Sequence, residues 1–129
     1  MRVILFRAKC FHQAYNCILN AEQFNIPITF IEKAQLFWDK GNQDQCLFTL
    51  NRGIKEFFPD DHPMFTSNSS ERIEERKMCA EAKLLYAVYS EETSNCTHET
   101  NISNYERAYI VCRQLEKSLV SCLDKNSKT

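Results

Sequence analysis

The amino-acid sequence predicts an all-α fold: about five or six helices, arranged as antiparallel pairs in a tetratricopeptide-like solenoid. Apolar and small residues recur at spacings of three and four along most of the chain, the period that gives a helix one buried face. The 129 residues include only two glycines and three prolines, and most of these fall where periodic stretches begin or end. There is also an internal echo. The series from His12 to Leu19 aligns with the series from Asp44 to Asn51 at an offset of 32 residues, with Ala14 against Cys46 and Ile18 against Leu50. That offset is close to the period of about 34 residues of helix-pair repeats, whose units bury their apolar faces by stacking on neighbours.

Each element follows from local chemistry. A first helix is expected over Arg2 to Lys9 and a second over His12 to Gln23, with Ala14, Tyr15, Ile18 and Leu19 on its apolar side. Pro27 stands where a first-turn proline is tolerated, because its missing N–H has no partner in a helix start. A third helix then runs to Lys40 with Ile31, Ala34, Leu36, Phe37 and Trp38 as its apolar face. Gly41-Asn42 makes the turn, since glycine accepts the left-handed conformation that ends a helix. The fourth helix, Gln43 to Phe57, places Cys46, Leu47, Leu50, Gly53, Ile54 and Phe57 at helical spacing, and Pro59 stops it. Residues 1–59 are thus two helix pairs, with Ala14, Ile18, Ala34, Trp38, Gly41, Cys46, Leu50 and Gly53 as the structural repeat positions.

Residues 60–70 read as a polar connector rich in turn formers around Ser67. Ser70 is a candidate cap for a helix from Glu71 to Glu92, where Glu74 and Glu75 suit the N-terminal dipole. A second connector spans 93–101 around Thr97. The last helix of the pair within 71–123 is expected from Asn104 to Leu123, with Tyr105, Ala108, Tyr109, Val111, Cys112, Leu115, Leu119 and Cys122 as its apolar positions. Residues 124–129 are expected to fray.

Charge and composition narrow the function. Sixteen Lys and Arg against 17 Asp and Glu give a net charge of -1, so no overall excess calls for nucleic acid or an anionic membrane. No apolar run approaches the roughly 20 residues of a membrane span, and the start lacks a full signal-peptide core. Seven cysteines without paired CxxC spacing make a poor disulfide framework and a poor zinc site. Cys17, Cys46, Cys79 and Cys112 sit in apolar helical patterns, as reduced intracellular thiols do. The sequons at Asn68, Asn95 and Asn101 matter only for a secreted chain.

Several residues invite a chemical reading, and each has a plainer one. Cys10 with His12, and Cys96 with His98, are metal-binding types, but neither pair supplies four ligands. Glu74, Glu75, Glu81 and Asp44 resemble acid/base groups, yet carboxylates on amphipathic helices usually form a solvated face. Arg72, Arg76 and Lys77 form a short basic cluster among acidic neighbours, too small for nucleic-acid recognition. Trp38 and Tyr15 are candidates for a peptide groove, against repeat-core packing. No cofactor and no metal is expected.

The segments Ala8-Lys-Cys-Phe-His-Gln-Ala-Tyr-Asn-Cys-Ile-Leu-Asn-Ala21 and Ile31-Glu-Lys-Ala-Gln-Leu-Phe-Trp-Asp-Lys-Gly-Asn-Gln-Asp-Gln-Cys-Leu-Phe-Thr-Leu-Asn-Arg-Gly-Ile54 resemble the FAT region of phosphatidylinositol-3-kinase-related protein kinases, and within them the ATR-type DNA-damage checkpoint kinases. Ala82-Lys-Leu-Leu-Tyr-Ala-Val-Tyr-Ser-Glu-Glu-Thr93 and Asn104-Tyr-Glu-Arg-Ala-Tyr109 are similar to later helices of that region. The resemblance covers residues 8 to 59 well and 80 to 112 loosely. It implies a helical scaffold that wraps and positions a serine/threonine kinase domain in the nucleus, with neighbouring solenoid and kinase regions as its partners. The kinase motifs themselves, a glycine-rich loop, a catalytic-loop Asp followed by Asn, and Asp-Phe-Gly, do not occur in these 129 residues. The expectation is therefore a non-catalytic segment: a fragment, a truncated gene model or a degenerate copy. The alternative is an independent adaptor that binds a peptide in a helical groove.

Overall fold

The computed structural model describes residues 2–24, 27–62, 65, 72–93 and 97–127, with the backbone alone for 2–9 and 124–127. The fold is all-α and helical-repeat-like. The described residues form five helices and no strand: α1 Arg2–Glu22, α2 Ile28–Lys40, α3 Gln43–Phe57, α4 Ile73–Thr93 and α5 His98–Ser127. They divide into two compact units, Met1–Gly53 and Ile54–Thr129.

In the first unit, α1 is one helix where two were expected. No glycine or proline lies between Arg2 and Glu22, so nothing in the backbone interrupts propagation at Lys9 to Phe11, and polarity alone does not break a helix. Consequently His12 lies in the middle of α1, whereas its echo Asp44 lies in the first turn of α3.

The joint between α2 and α3 follows from two residues. Gly41 adopts φ 91°, ψ 7°. Its N–H donates to the Trp38 carbonyl at 3.0 Å, and the Asn42 N–H donates to the Phe37 carbonyl at 2.9 Å, the paired bonds of a Schellman ending. Lys40 in the last turn of α2 and Asp44 in the first turn of α3 each oppose the local end of the helix dipole. The core of this unit is formed by Phe30, Ile31 and Ala34 of α2 with Cys46, Leu50 and Gly53 of α3, all buried. Gly53 is there for space: a Cβ on it would stand 2.3 Å from both Cγ and Cδ2 of the Phe30 ring. The ring of one helix thus rests on the bare backbone of the next.

The second unit begins with the end of α3. Phe58 is buried, and its N–H donates to the Ile54 carbonyl at 2.9 Å. Before α4, Arg72 takes φ 58°, and its guanidinium donates to Glu75 Oε1 at 3.0 Å. The expected cap Ser70 lies outside the described residues, as do Ser67, Asn68 and Asn95. Helices α4 and α5 pack together, and most of their buried side chains are small: Cys79, Ala80, Ala82, Ala87 and Ser90 on α4, and Ala108, Val111 and Ser118 on α5. Small residues let the two backbones approach closely.

Helix α5 starts six residues before the expected Asn104. The Thr97 hydroxyl accepts from the Thr100 N–H at 3.2 Å, and the Asn101 N–H donates to the Thr97 carbonyl at 3.0 Å. Thr97 is therefore an N-cap, and residues 98–101, expected within a connector, are its first turn. At the other end the helix continues through Ser127, past the expected frayed end at 124.

Candidate interaction surface

The side chains with the most distinctive chemistry lie along the seam between α1 and α2, which pack together. Phe11 and Tyr15 are one turn apart on α1, and their rings stack at 5.9 Å with 9° between planes. Tyr15 meets Phe37 of α2 at 5.7 Å, tilted by 58°. Two lysines of α2 cover this row: Lys40 Nζ sits 4.0 Å from the Phe11 ring centroid and Lys33 Nζ 5.8 Å from that of Tyr15. Lys33 also donates to Glu22 Oε1 at 2.9 Å. The row therefore runs from an ion pair through three half-buried rings to a lysine held on an aromatic face, a contact worth about 0.5–1 kcal/mol at exposed sites.

Each residue singled out from the sequence has a definite place. Ala34, Cys46, Leu50 and Gly53 are buried, Ala14, Ile18 and Trp38 are half-buried, and Gly41 is exposed at the turn. The ring that faces Tyr15 across the seam is Phe37, and Lys40 and Phe11 complete the row; the sequence pairing of Trp38 with Tyr15 did not single these out. Their signal was present as Phe11 and Tyr15 at helical spacing and Lys40 at the end of α2.

The candidate chemical groups disperse. Cys10 and His12 are both exposed on α1, while Cys96 lies outside the described residues and His98 opens α5. Among the described residues no group of three His, Cys, Asp or Glu side chains is placed to hold a metal. Glu74, Glu81 and Asp44 are exposed. Glu75 is structural: besides Arg72 it meets His62 Nε2 at 3.2 Å, tying the turn after α3 to the start of α4. The basic cluster splits, with Arg72 and Lys77 exposed and Arg76 buried.

Burial also fixes the protonation of two thiols. Desolvation pushes Cys46 up to about 12, with the Asp39 charge adding to it. Desolvation likewise pushes Cys79 up to about 11, against the lowering effect of Lys83. Both are protonated and unreactive at neutral pH, since the thiolate is the nucleophile. The Tyr105 phenol donates to Glu91 across α4 and α5, and that bond holds its titration above the ordinary value. No helix among the described residues is long and apolar enough to cross a membrane. No protein-family profile matches the chain, and no solved structure matches it.

Proposed function

We propose that the chain is a non-catalytic scaffold segment of the FAT type, one that supports and positions the kinase domain of an ATR-like checkpoint kinase in the nuclear DNA-damage response. The observation that carries this reading is the build of the first unit. Its helices meet on small residues, Phe30 over Gly53 with Ala34 and Cys46 beside them, while Phe24 and Phe48 are left 68% and 60% exposed. Helix-pair repeats leave such outward apolar residues for the next repeat to cover. In this reading phosphoryl transfer belongs to a separate domain, and neighbouring solenoid and kinase regions are the partners.

The row of Phe11, Tyr15 and Phe37 under Lys33 and Lys40 favours a second reading, an adaptor that takes an acidic peptide on the α1–α2 seam. Reading the transcript beyond Thr129 separates the two. A continuous frame encoding the glycine-rich loop, the catalytic-loop Asp and Asn, and Asp-Phe-Gly supports the scaffold. A stop codon there, together with acidic-peptide binding that is lost in Lys40→Glu, overturns it in favour of the adaptor. ATP-dependent phosphate transfer by the purified chain would contradict both readings.

A further inference from the structure

Among the described residues, four buried side-chain atoms have no hydrogen-bond partner: Ser90 Oγ, Asn101 Oδ1, Asn104 Nδ2 and Gln114 Oε1. Gln114 stands apart, ten residues beyond Asn104 on α5, but the other three belong to one end of the α4–α5 hairpin. Ser90 lies three residues before the end of α4 and Asn101 three residues after the start of α5, and the two helices pack together. The Tyr105–Glu91 bond fixes their register, since Tyr105 directly follows Asn104 and Glu91 directly follows Ser90. Asn101 and Asn104, three apart, share one face of α5. Ser90 is 1% exposed and Asn104 7%. A buried polar group left unpaired carries its full desolvation penalty. Ser118, buried on the same helix as Asn104, avoids it by donating its hydroxyl to the Gln114 carbonyl at 2.9 Å, and Ser90 makes no such bond.

We propose that Ser90, Asn101 and Asn104 form a buried binding site for one neutral molecule that both donates and accepts hydrogen bonds, an internal water. The chemistry of the three atoms selects this occupant. Asn104 Nδ2 presents only hydrogens, Asn101 Oδ1 only lone pairs, and the Ser90 hydroxyl either. A cation is repelled by the amide hydrogens, and an anion by the amide oxygen. Water accepts from Asn104, donates to Asn101 and completes a third bond with Ser90, the number that buried waters typically make. The buried residues one turn further into the hairpin, Ala87 on α4 and Ala108 on α5, are both small. Inside the seam the water bridges the end of α4 to the start of α5, as the Tyr105–Glu91 bond does at its exposed edge. The site lies within one hairpin and is independent of the scaffold reading.

The purified 129-residue chain tests this in solution and in a crystal. The result expected is a long-lived water at the Asn104 side-chain amide protons, seen as cross-peaks of opposite sign in laboratory-frame and rotating-frame Overhauser spectra. These should persist in Ser90→Ala, where no hydroxyl proton relays exchange with solvent. In the crystal one density peak should lie about 2.7–3.2 Å from all three atoms. Ser90→Ala and Asn104→Leu break the same bridge, so their effects on the unfolding equilibrium constant in urea should depart from simple multiplication by roughly tenfold. Independent, multiplicative effects would overturn the proposal. So would spectra without a long-lived water, or a Ser90 hydroxyl turned onto the Tyr86 carbonyl four residues back. Density seated on Asn101 Oδ1 and Ser90 Oγ but away from Asn104 Nδ2, as a cation would sit, would overturn it too. Where a variant fails to fold, the spectra and density of the unsubstituted chain decide the matter.

Discussion

Gly53→Ala is the substitution for which the structure predicts a sign opposite to that of simple propensity. Within a helix, alanine is more favourable than glycine by about 1 kcal/mol, and Gly53 has no left-handed φ to forbid a side chain. The obstacle is the Phe30 ring, whose Cγ, Cδ2 and Cδ1 would lie 2.3, 2.3 and 2.7 Å from the new Cβ. Contacts between carbon atoms are optimal near 3.5–4.0 Å, so the overlap exceeds about 1 Å. Rotation about χ2 cannot relieve it, because Cγ lies on the rotation axis. Phe30 is only 6% exposed, so the ring has no free space to move into, and α2 and α3 must separate or Phe30 must leave its rotamer. Overpacking of this kind costs about 1–3 kcal/mol and occasionally more, which offsets the propensity gain and leaves a net loss of up to about 2 kcal/mol. In a Phe30→Ala background the obstacle is gone, and the same Gly53→Ala change should stabilise by about 1 kcal/mol. The coupling between the sites is then the overpacking cost itself, about 1–3 kcal/mol, readily measured by a double-mutant cycle. Urea unfolding followed by the fluorescence of Trp38, the chain's one tryptophan, reports on the first unit, with an osmolyte added to keep the Phe30→Ala variant folded. A Gly53→Ala effect of the same sign in both backgrounds would refute the packing of α2 on α3.

Other predictions concern single side chains. Leu50→Ala, at a fully buried site, should cost about 2–5 kcal/mol, whereas Trp38→Ala at a half-buried site should cost less than the roughly 3–5 kcal/mol of a fully buried tryptophan. Urea titration of both variants ranks them, and the reverse order would contradict the core assignment. Thr97→Ala should destabilise the start of α5 by about 1 kcal/mol, seen as faster amide exchange over residues 100–103 with the middle of α5 unchanged. Stability should fall as pH rises above about 9: Cys46 and Cys79, ordinarily near 9.0, hold their protons to about 12 and about 11 in the fold. Their contribution is complete below the unfolded value and is lost towards the folded one, at up to about 1.4 kcal/mol per thiol per pH unit. Urea unfolding at pH 8 and 10.5 should show the loss, and Cys46→Ala with Cys79→Ala should flatten it. An unchanged midpoint at pH 10.5 in the unsubstituted chain would refute the burial of the thiols.

Legibility in the sequence tracked punctuation. The α2–α3 joint was readable because Gly41 ends one helix, Gln43 opens the next and Pro59 follows the second, each acting through its own backbone. The division of α1 into two helices, Arg2 to Lys9 and His12 to Gln23, failed because no glycine or proline stands between them to end the first. The early start of α5 was hidden because Thr97 reads equally as loop and as N-cap; only the hydroxyl's bond to the Thr100 N–H distinguishes them. Gly53 was identifiable as a small repeat position, but the identity of the ring above it depends on how α2 lies over α3. Of the apolar residues of α5, Tyr105 to Cys122 were read as one set, without Ile102, Ile110 and Val120. Ala108 and Val111 are buried and Cys122 half-buried, whereas Tyr109, Cys112 and Leu119 are exposed, a separation that periodicity alone blurs.

The scaffold reading holds that the first unit is stabilised by neighbours that cover its outward residues, and amide hydrogen exchange measures this most directly. Exchange over residues 28–57 is compared between the 129-residue chain and the same residues in a polypeptide that also carries neighbouring repeats. Covering Phe48, 60% exposed in this chain, at about 25 cal/mol per Å² of apolar surface should contribute about 1–2 kcal/mol. The most protected α2 and α3 amides should therefore exchange roughly tenfold or more slowly in the longer polypeptide. Equal protection in the two contexts would contradict it and mark the chain as a self-sufficient helical domain.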